Sequence, residues 1–115
     1  MSTPDLRSLM KALEQFAAER DWEPFHSPKN LAMALSVEVA ELVEHFQWLS
    51  EDQSRTPAKE AMPAIEDEVA DVLLYLLQMC NKLSIDPVKA AERKLAKNAL
   101  KYPVEKSKGK AKRLT

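Results

Sequence analysis

Glycine is nearly absent from this chain: of its 115 residues one is glycine, Gly109, close to the C-terminus. The P-loop and the GxGxxG turn both need glycine so that the backbone can approach a phosphate, and both are therefore excluded. A nucleotide bound here must be met without a glycine-rich cradle. Cysteine is equally scarce. Cys80 stands alone inside the apolar run VLLYLLQMCNKL, so no intrachain disulfide can form, which fits a reducing cytoplasm. No apolar run approaches the roughly 20 residues of a bilayer span, and the opening MSTPDLRSLMKALEQF lacks the apolar segment of a signal peptide. An excess of one charge is missing too. The net charge of −1 provides no overall field for nucleic acid or a membrane surface, and neither is expected as a partner.

What is present is ordinary for a globular protein, with 45% apolar and 30% charged residues. The length suits one compact domain, because chains divide into separate cores only beyond about 250 residues. Proline is well supplied, and it falls where helices should begin: Thr3-Pro4-Asp5, Ser27-Pro28, Met62-Pro63 and Asp86-Pro87. Three of these prolines follow a Thr, Ser or Asp suited to capping. The expected helices run from about Pro4 to Arg20, Pro28 to Leu49, Pro63 to Leu83 and Pro87 to Lys101. Between the second and third lies the polar loop SEDQSRTPAKEAM, with one helical turn expected after Thr56-Pro57. No segment alternates apolar and polar residues long enough to predict a strand, so the fold class is all-α. The tail 105–115, EKSKGKAKRLT, is basic and low in complexity and is expected to be disordered.

The chemistry-bearing residues lie on the second and third helices. On the second, SVEVAELVEHFQWL is apolar over most of its circumference, which predicts an enclosed helix, yet it carries Glu38 and Glu41 one turn apart. On the third, an equally apolar helix leaves a narrow polar strip of Asp67, Glu68, Asp71, Tyr75, Gln78 and Lys82. Like-charged neighbours repel, and burying a carboxylate without compensation costs several kcal/mol. A positive group should sit between the pairs. All-oxygen ligands suit a hard cation, Mg²⁺ or Mn²⁺, and a site of that kind keeps positions open for water and substrate phosphate. Four acids on solvated faces would be the plainer explanation, but it sits badly with helices this apolar. A di-iron bundle would want Glu-x-x-His twice, and Glu41 is followed at that spacing by Glu44. A base pocket needs flat apolar surfaces, for which Trp22, Phe25, His26, Phe46 and Trp48 are candidates.

The stretches FAAERDWEPFHSPKNLAMAL, EVAELVEHFQW, EDEVADVLLYL and KLAKNALKYP, from about Phe16 to Pro103, together resemble the MazG-like all-α nucleoside triphosphate pyrophosphohydrolases. Within them the likeness is to the dCTP pyrophosphatase branch. The resemblance implies a four-helix MazG-like domain over residues 1–104 and hydrolysis between the α and β phosphates to monophosphate and pyrophosphate. It implies Mg²⁺, with Mn²⁺ as a substitute, held by Glu38, Glu41, Glu68 and Asp71, and a homodimer core often paired into a tetramer, with active sites completed across subunits. The wider pattern EExxE has Val37 at its first acid here, which fits the dCTP branch and argues against a metal arrangement using that extra carboxylate. His26 and Asn30 fall in the stretch resembling the family's FHxPxNL. Lys94, Asn98 and Lys101 or Tyr102 fall in K-x-x-x-N-x-x-[RK]-Y-P, near the substrate. Glu41 or Glu38 is expected to orient the attacking water, and Trp48 and His26 to touch substrate. The rival readings are a broader or dUTP-directed pyrophosphatase and a helical interaction module that keeps the fold without the chemistry.

Overall fold

A computed structural model describes residues 4–110. Among these there is no strand, and the elements run α1 (Leu6–Glu19), a 3₁₀ turn (Glu23–Phe25), α2 (Pro28–Glu44), α3 (Glu51–Arg55), a 3₁₀ turn (Lys59–Ala61), α4 (Met62–Leu83), α5 (Pro87–Lys101) and α6 (Val104–Ser107). The all-α class and the four long helices are as the sequence predicts.

The starts follow from their caps. The Asp5 carboxylate accepts the Ser8 backbone N–H at 2.8 Å, and Ser8 Oγ accepts that of Asp5 at 2.9 Å, a reciprocal capping box for α1. Ser27 Oγ accepts the Asn30 N–H at 3.1 Å ahead of Pro28, and Asp86 accepts from Val88 and Lys89 at 3.0 and 3.1 Å ahead of Pro87. Two ends, Asp21 and Ser84, have φ of +54°, the left-handed conformation usually given to glycine, which this chain has at neither place.

Two boundaries differ from expectation: α1 starts at Leu6, capped by Asp5, rather than at about Pro4, and α2 ends early. α2 stops at Glu44 rather than Leu49, and the chain turns through Phe46 N–H to Val43 carbonyl and Leu49 N–H to Phe46 carbonyl, both 2.9 Å. The N–H groups of His45, Phe46 and Leu49 reach back three residues instead of four, which tightens the helix into a turn, and Ser50 and Gln53 then form a second capping box that starts α3. The helix α3 thus occupies part of the expected polar loop, while the turn expected after Thr56-Pro57 is the 3₁₀ turn Lys59–Ala61. In the expected tail, Val104–Ser107 is a short helix; residues 111–115 lie outside the described residues.

Contacts group the chain into two units, one ending at Ser84 and the other starting at Ile85. In the first, α4 is central: α2 packs along it and α1 packs on it as well. The core holds Leu13, Ala17, Leu31, Ile65, Leu77 and Cys80, and Leu31 and Leu77 are each only 1% exposed. Each contributes about 2 kcal/mol by burial. Asn81 Nδ2 donates to the Met10 carbonyl at 3.0 Å and ties α4 to α1. The second unit carries α5 and α6. Enclosure of α2 within its own chain is not found: Leu31 is its one buried residue among those described, and Met33 and Val37 stay 59% and 55% exposed. The physical reason is that its main packing partner is a single helix, α4, which covers one side.

Candidate metal centre

The pairing of α2 with α4 brings together the two acid pairs. Glu38 and Glu41 stand one turn apart on α2, and Glu68 and Asp71 one turn apart on α4. One carboxylate oxygen each from Glu38, Glu41 and Glu68 lie within 4.8 Å of one another, and all three side chains are half-buried. Asp71 completes the acidic surroundings, since its charge acts on both Glu38 and Glu68. Glu44, the next acid along α2, is exposed.

The electrostatics of this cluster are unfavourable as they stand. The Glu38 carboxyl is pushed up to about 7, first by burial, then by contact with the Glu68 and Glu41 carboxyls and by the charges of Glu41 and Asp71. Glu68 is raised as well, chiefly by burial, with the charges of Glu41 and Asp71 adding to it and the nearby Glu38 carboxyl opposing. Glu38 Oε2 and Glu68 Oε2 are shielded from solvent and accept no hydrogen bond. Buried acceptors left without a donor are rare in folded proteins. A converging set of carboxylate oxygens with two unmet acceptors fits a hard divalent cation.

Asp71 also faces a cavity of about 360 Å³ in the same unit. Its walls are apolar and aromatic, with Leu13 and Phe16 from α1, Trp22 from the connection and Leu74 from α4; the polar groups on it are His26, Tyr75 and Gln78 beside Asp71. Trp22 is held edge-on between Phe16 and His26, with ring centroids 5.7 and 6.2 Å away. A volume near the lower end of ligand sites, about 300 to 1,000 Å³, suits a small flat ligand. Of the base-pocket candidates, Trp22 and His26 line this cavity while Phe25, Phe46 and Trp48 do not, and Phe16, Tyr75 and Gln78 line it without having been among them. A signal for two of them was there: Asp71, Tyr75 and Gln78 recur at four- and three-residue spacing and so share a helix face.

Residues 33–115 match the model of the MazG-like family. The chain belongs to that family. Among similar proteins, dCTP pyrophosphatase 1 of Mus musculus is 41% identical over 113 residues, 94% of this chain, and that of Homo sapiens is 36% identical over 116 residues, 97% of this chain. The chain spans about two thirds of their lengths, 65% and 67%. The crystal structure of a pyrophosphatase from Archaeoglobus fulgidus is 41% identical, with a TM-score of 0.82 over 90% of this chain and 96% of that one.

The remaining expected site residues of this MazG-like chain lie on the α2 start, the turn after α2 and α5. Asn30 is engaged in local structure, its Nδ2 donating to the Phe25 carbonyl at 3.1 Å while its backbone N–H meets Ser27. Trp48 sits in the turn after α2, 87% exposed, and does not line the cavity. Lys94 and Asn98 recur one turn apart on α5 in the second unit, where Tyr102 caps that helix and Lys101 Nζ lies 5.4 Å from the Tyr102 ring centroid. No described helix is long and apolar enough to cross a membrane.

Proposed function

We propose that this chain hydrolyses (deoxy)nucleoside triphosphates, dCTP or a modified dCTP foremost, to the monophosphate and pyrophosphate, with Mg²⁺ held by Glu38, Glu41, Glu68 and Asp71 and Mn²⁺ as a substitute. The observation that carries this is the convergence of Glu38, Glu41 and Glu68 within 4.8 Å, with unmet acceptors on two of them, next to a cavity of about 360 Å³. The relatives named dCTP pyrophosphatase support the substrate, and the archaeal structure named a pyrophosphatase supports the reaction.

When bound, a divalent cation supplies charge neutralisation for the triphosphate and polarises the attacked phosphorus. The chain's own groups do the rest by position. A carboxylate of Glu38 or Glu41 accepts a hydrogen bond from the attacking water and takes its proton as the water oxygen bonds to phosphorus, the α–β bridging P–O bond breaks and pyrophosphate leaves. No covalent nucleophile is required, because orientation and charge supply most of phosphoryl-transfer catalysis. Burial also raises the Cys80 thiol, the wrong direction for a nucleophile. The cavity receives the nucleoside, with Trp22 and His26 against it. Asn30, Trp48, Lys94, Asn98 and Tyr102 are assigned to substrate on their spacing and the family motifs alone.

The exposed apolar rows Met33 and Val37 on α2 and Val69, Leu73 and Leu76 on α4 support a homo-oligomer, dimer or tetramer, as the working form. The lone cysteine supports a cytoplasmic setting. A panel of nucleoside triphosphates assayed for pyrophosphate with and without Mg²⁺ tests the activity. Turnover of dUTP well above dCTP overturns the substrate, and no turnover of any triphosphate overturns the reaction.

A further inference from the structure

Among the described residues two buried polar atoms are left over by the metal centre, Ser107 Oγ on α6 and Gln78 Oε1 on α4, and the second belongs to a residue of the cavity wall. Gln78 Oε1 is shielded from solvent and has no hydrogen-bond donor, and Gln78 lines the cavity together with Asp71. It has no place among the cation's ligands: it lies two helical turns beyond Asp71 on α4, roughly 10 Å further along the axis, away from the clustered oxygens of Glu38, Glu41 and Glu68. Its neighbours on the wall are mostly apolar, Leu13, Phe16 and Leu74 among them, and offer no donor that meets it. A buried acceptor costs the protein free energy until a donor arrives, so a site that contains one favours a ligand bringing a donor to that place. Amino-bearing bases bring one, the 4-amino group of a cytosine; uracil and thymine present a carbonyl there instead. A cavity of about 360 Å³ fits a pyrimidine nucleoside better than a larger ligand.

We infer that Gln78 is a specificity-determining residue, its side-chain carbonyl accepting the exocyclic 4-amino group of a cytosine base held in this cavity. This rests on the proposed triphosphate hydrolysis and adds the group that tells one pyrimidine from another. The test compares dCTP with the 2-pyrimidinone deoxynucleoside triphosphate, which lacks only the 4-amino group, on the wild-type chain and on Gln78→Met and Gln78→Leu. Removing the amino group should lower kcat/KM of the wild type on the order of ten- to a hundredfold, the range for stranding one buried hydrogen-bonding partner. In both variants that penalty should collapse to less than about threefold, because the acceptor is already gone. Calorimetric binding of dCMP and of the pyrimidinone monophosphate to the same three proteins reads the preference without catalysis and should show the same collapse. An equal amino-group penalty in wild type and variants, by rate and by binding, overturns the inference while leaving the hydrolysis intact. A wild type that binds dCMP with this preference but cleaves no triphosphate overturns the hydrolysis and leaves the role of Gln78 standing.

Discussion

Glu38 is half-buried beside Glu41, Glu68 and Asp71, with one carboxylate oxygen left unpartnered. In the metal-free folded chain its carboxyl is pushed up to about 7 from an ordinary 4.5. Because the folded value is the higher, the folded chain binds more protons than the unfolded one between those two values. The stability this group contributes is therefore complete below the lower value and lost as pH rises through the upper one. The raised Glu68 acts in the same direction. The thermal midpoint of metal-free protein should fall as pH rises from about 4.5 to beyond 7, other groups aside, and Glu38→Gln, which cannot ionise, should fall less over that window. Added Mg²⁺ at pH 8 should raise the wild-type midpoint and leave that of Glu38→Gln nearly unmoved. The same substitution should lower Mg²⁺-dependent turnover by at least about 10- to 100-fold, since even a residue behind a metal ligand is worth that much. Full turnover by Glu38→Gln would sink the assignment of this carboxylate. The acid pairs were legible in the sequence because charge interrupts two helices that are otherwise apolar. Gln78 was not, because a neutral amide in a polar strip looks like any solvated side chain until its surroundings are known.

At the scale of elements, helix beginnings were easier to read than helix ends. α2 and α5 start at Pro28 and Pro87 as the proline and cap pattern predicts, and α4 begins at Met62, one residue ahead of Pro63. The early stop of α2 at Glu44 came with a tightening of the backbone bonds from His45 on, and α3 started from Ser50 and Gln53, whose capping spacing lay inside what looked like a polar loop. Ser84 ends α4 in a left-handed conformation that costs a side chain roughly 1–2 kcal/mol, part of which glycine gives back in lost chain entropy. Ser84→Gly should accordingly stabilise the chain by about 0.5–1 kcal/mol in urea denaturation; a loss of stability would show that the serine side chain is needed there. Leu77 lies in the packed middle of α4, so Leu77→Ala should cost about 2–5 kcal/mol in the same measurement, through lost burial and the cavity left behind. A cost well under 1 kcal/mol would mean that this core is not close-packed.

At the scale of the whole molecule, more apolar surface stays open than one chain conceals. Val69, Leu73 and Leu76 on α4 remain 51%, 37% and 44% exposed. A charge placed in that row, as in Leu76→Glu, should reduce the mass measured by light scattering toward that of one chain. An unchanged mass would place the interface elsewhere or show that the wild type is a monomer. The sequence pointed to this surplus through apolar faces wider than a single partner helix covers, whereas the grouping of contacts about Ser84 and Ile85 left no trace in composition. In the proposed function the two acid pairs on α2 and α4 serve the cleavage of a cytosine deoxynucleoside triphosphate. The most direct measurement is pyrophosphate release from a panel of triphosphates with and without Mg²⁺. The expected result is turnover that requires the metal and is highest with dCTP or a modified dCTP. Undiminished turnover after removal of all divalent metal, or none with any triphosphate in its presence, would contradict it.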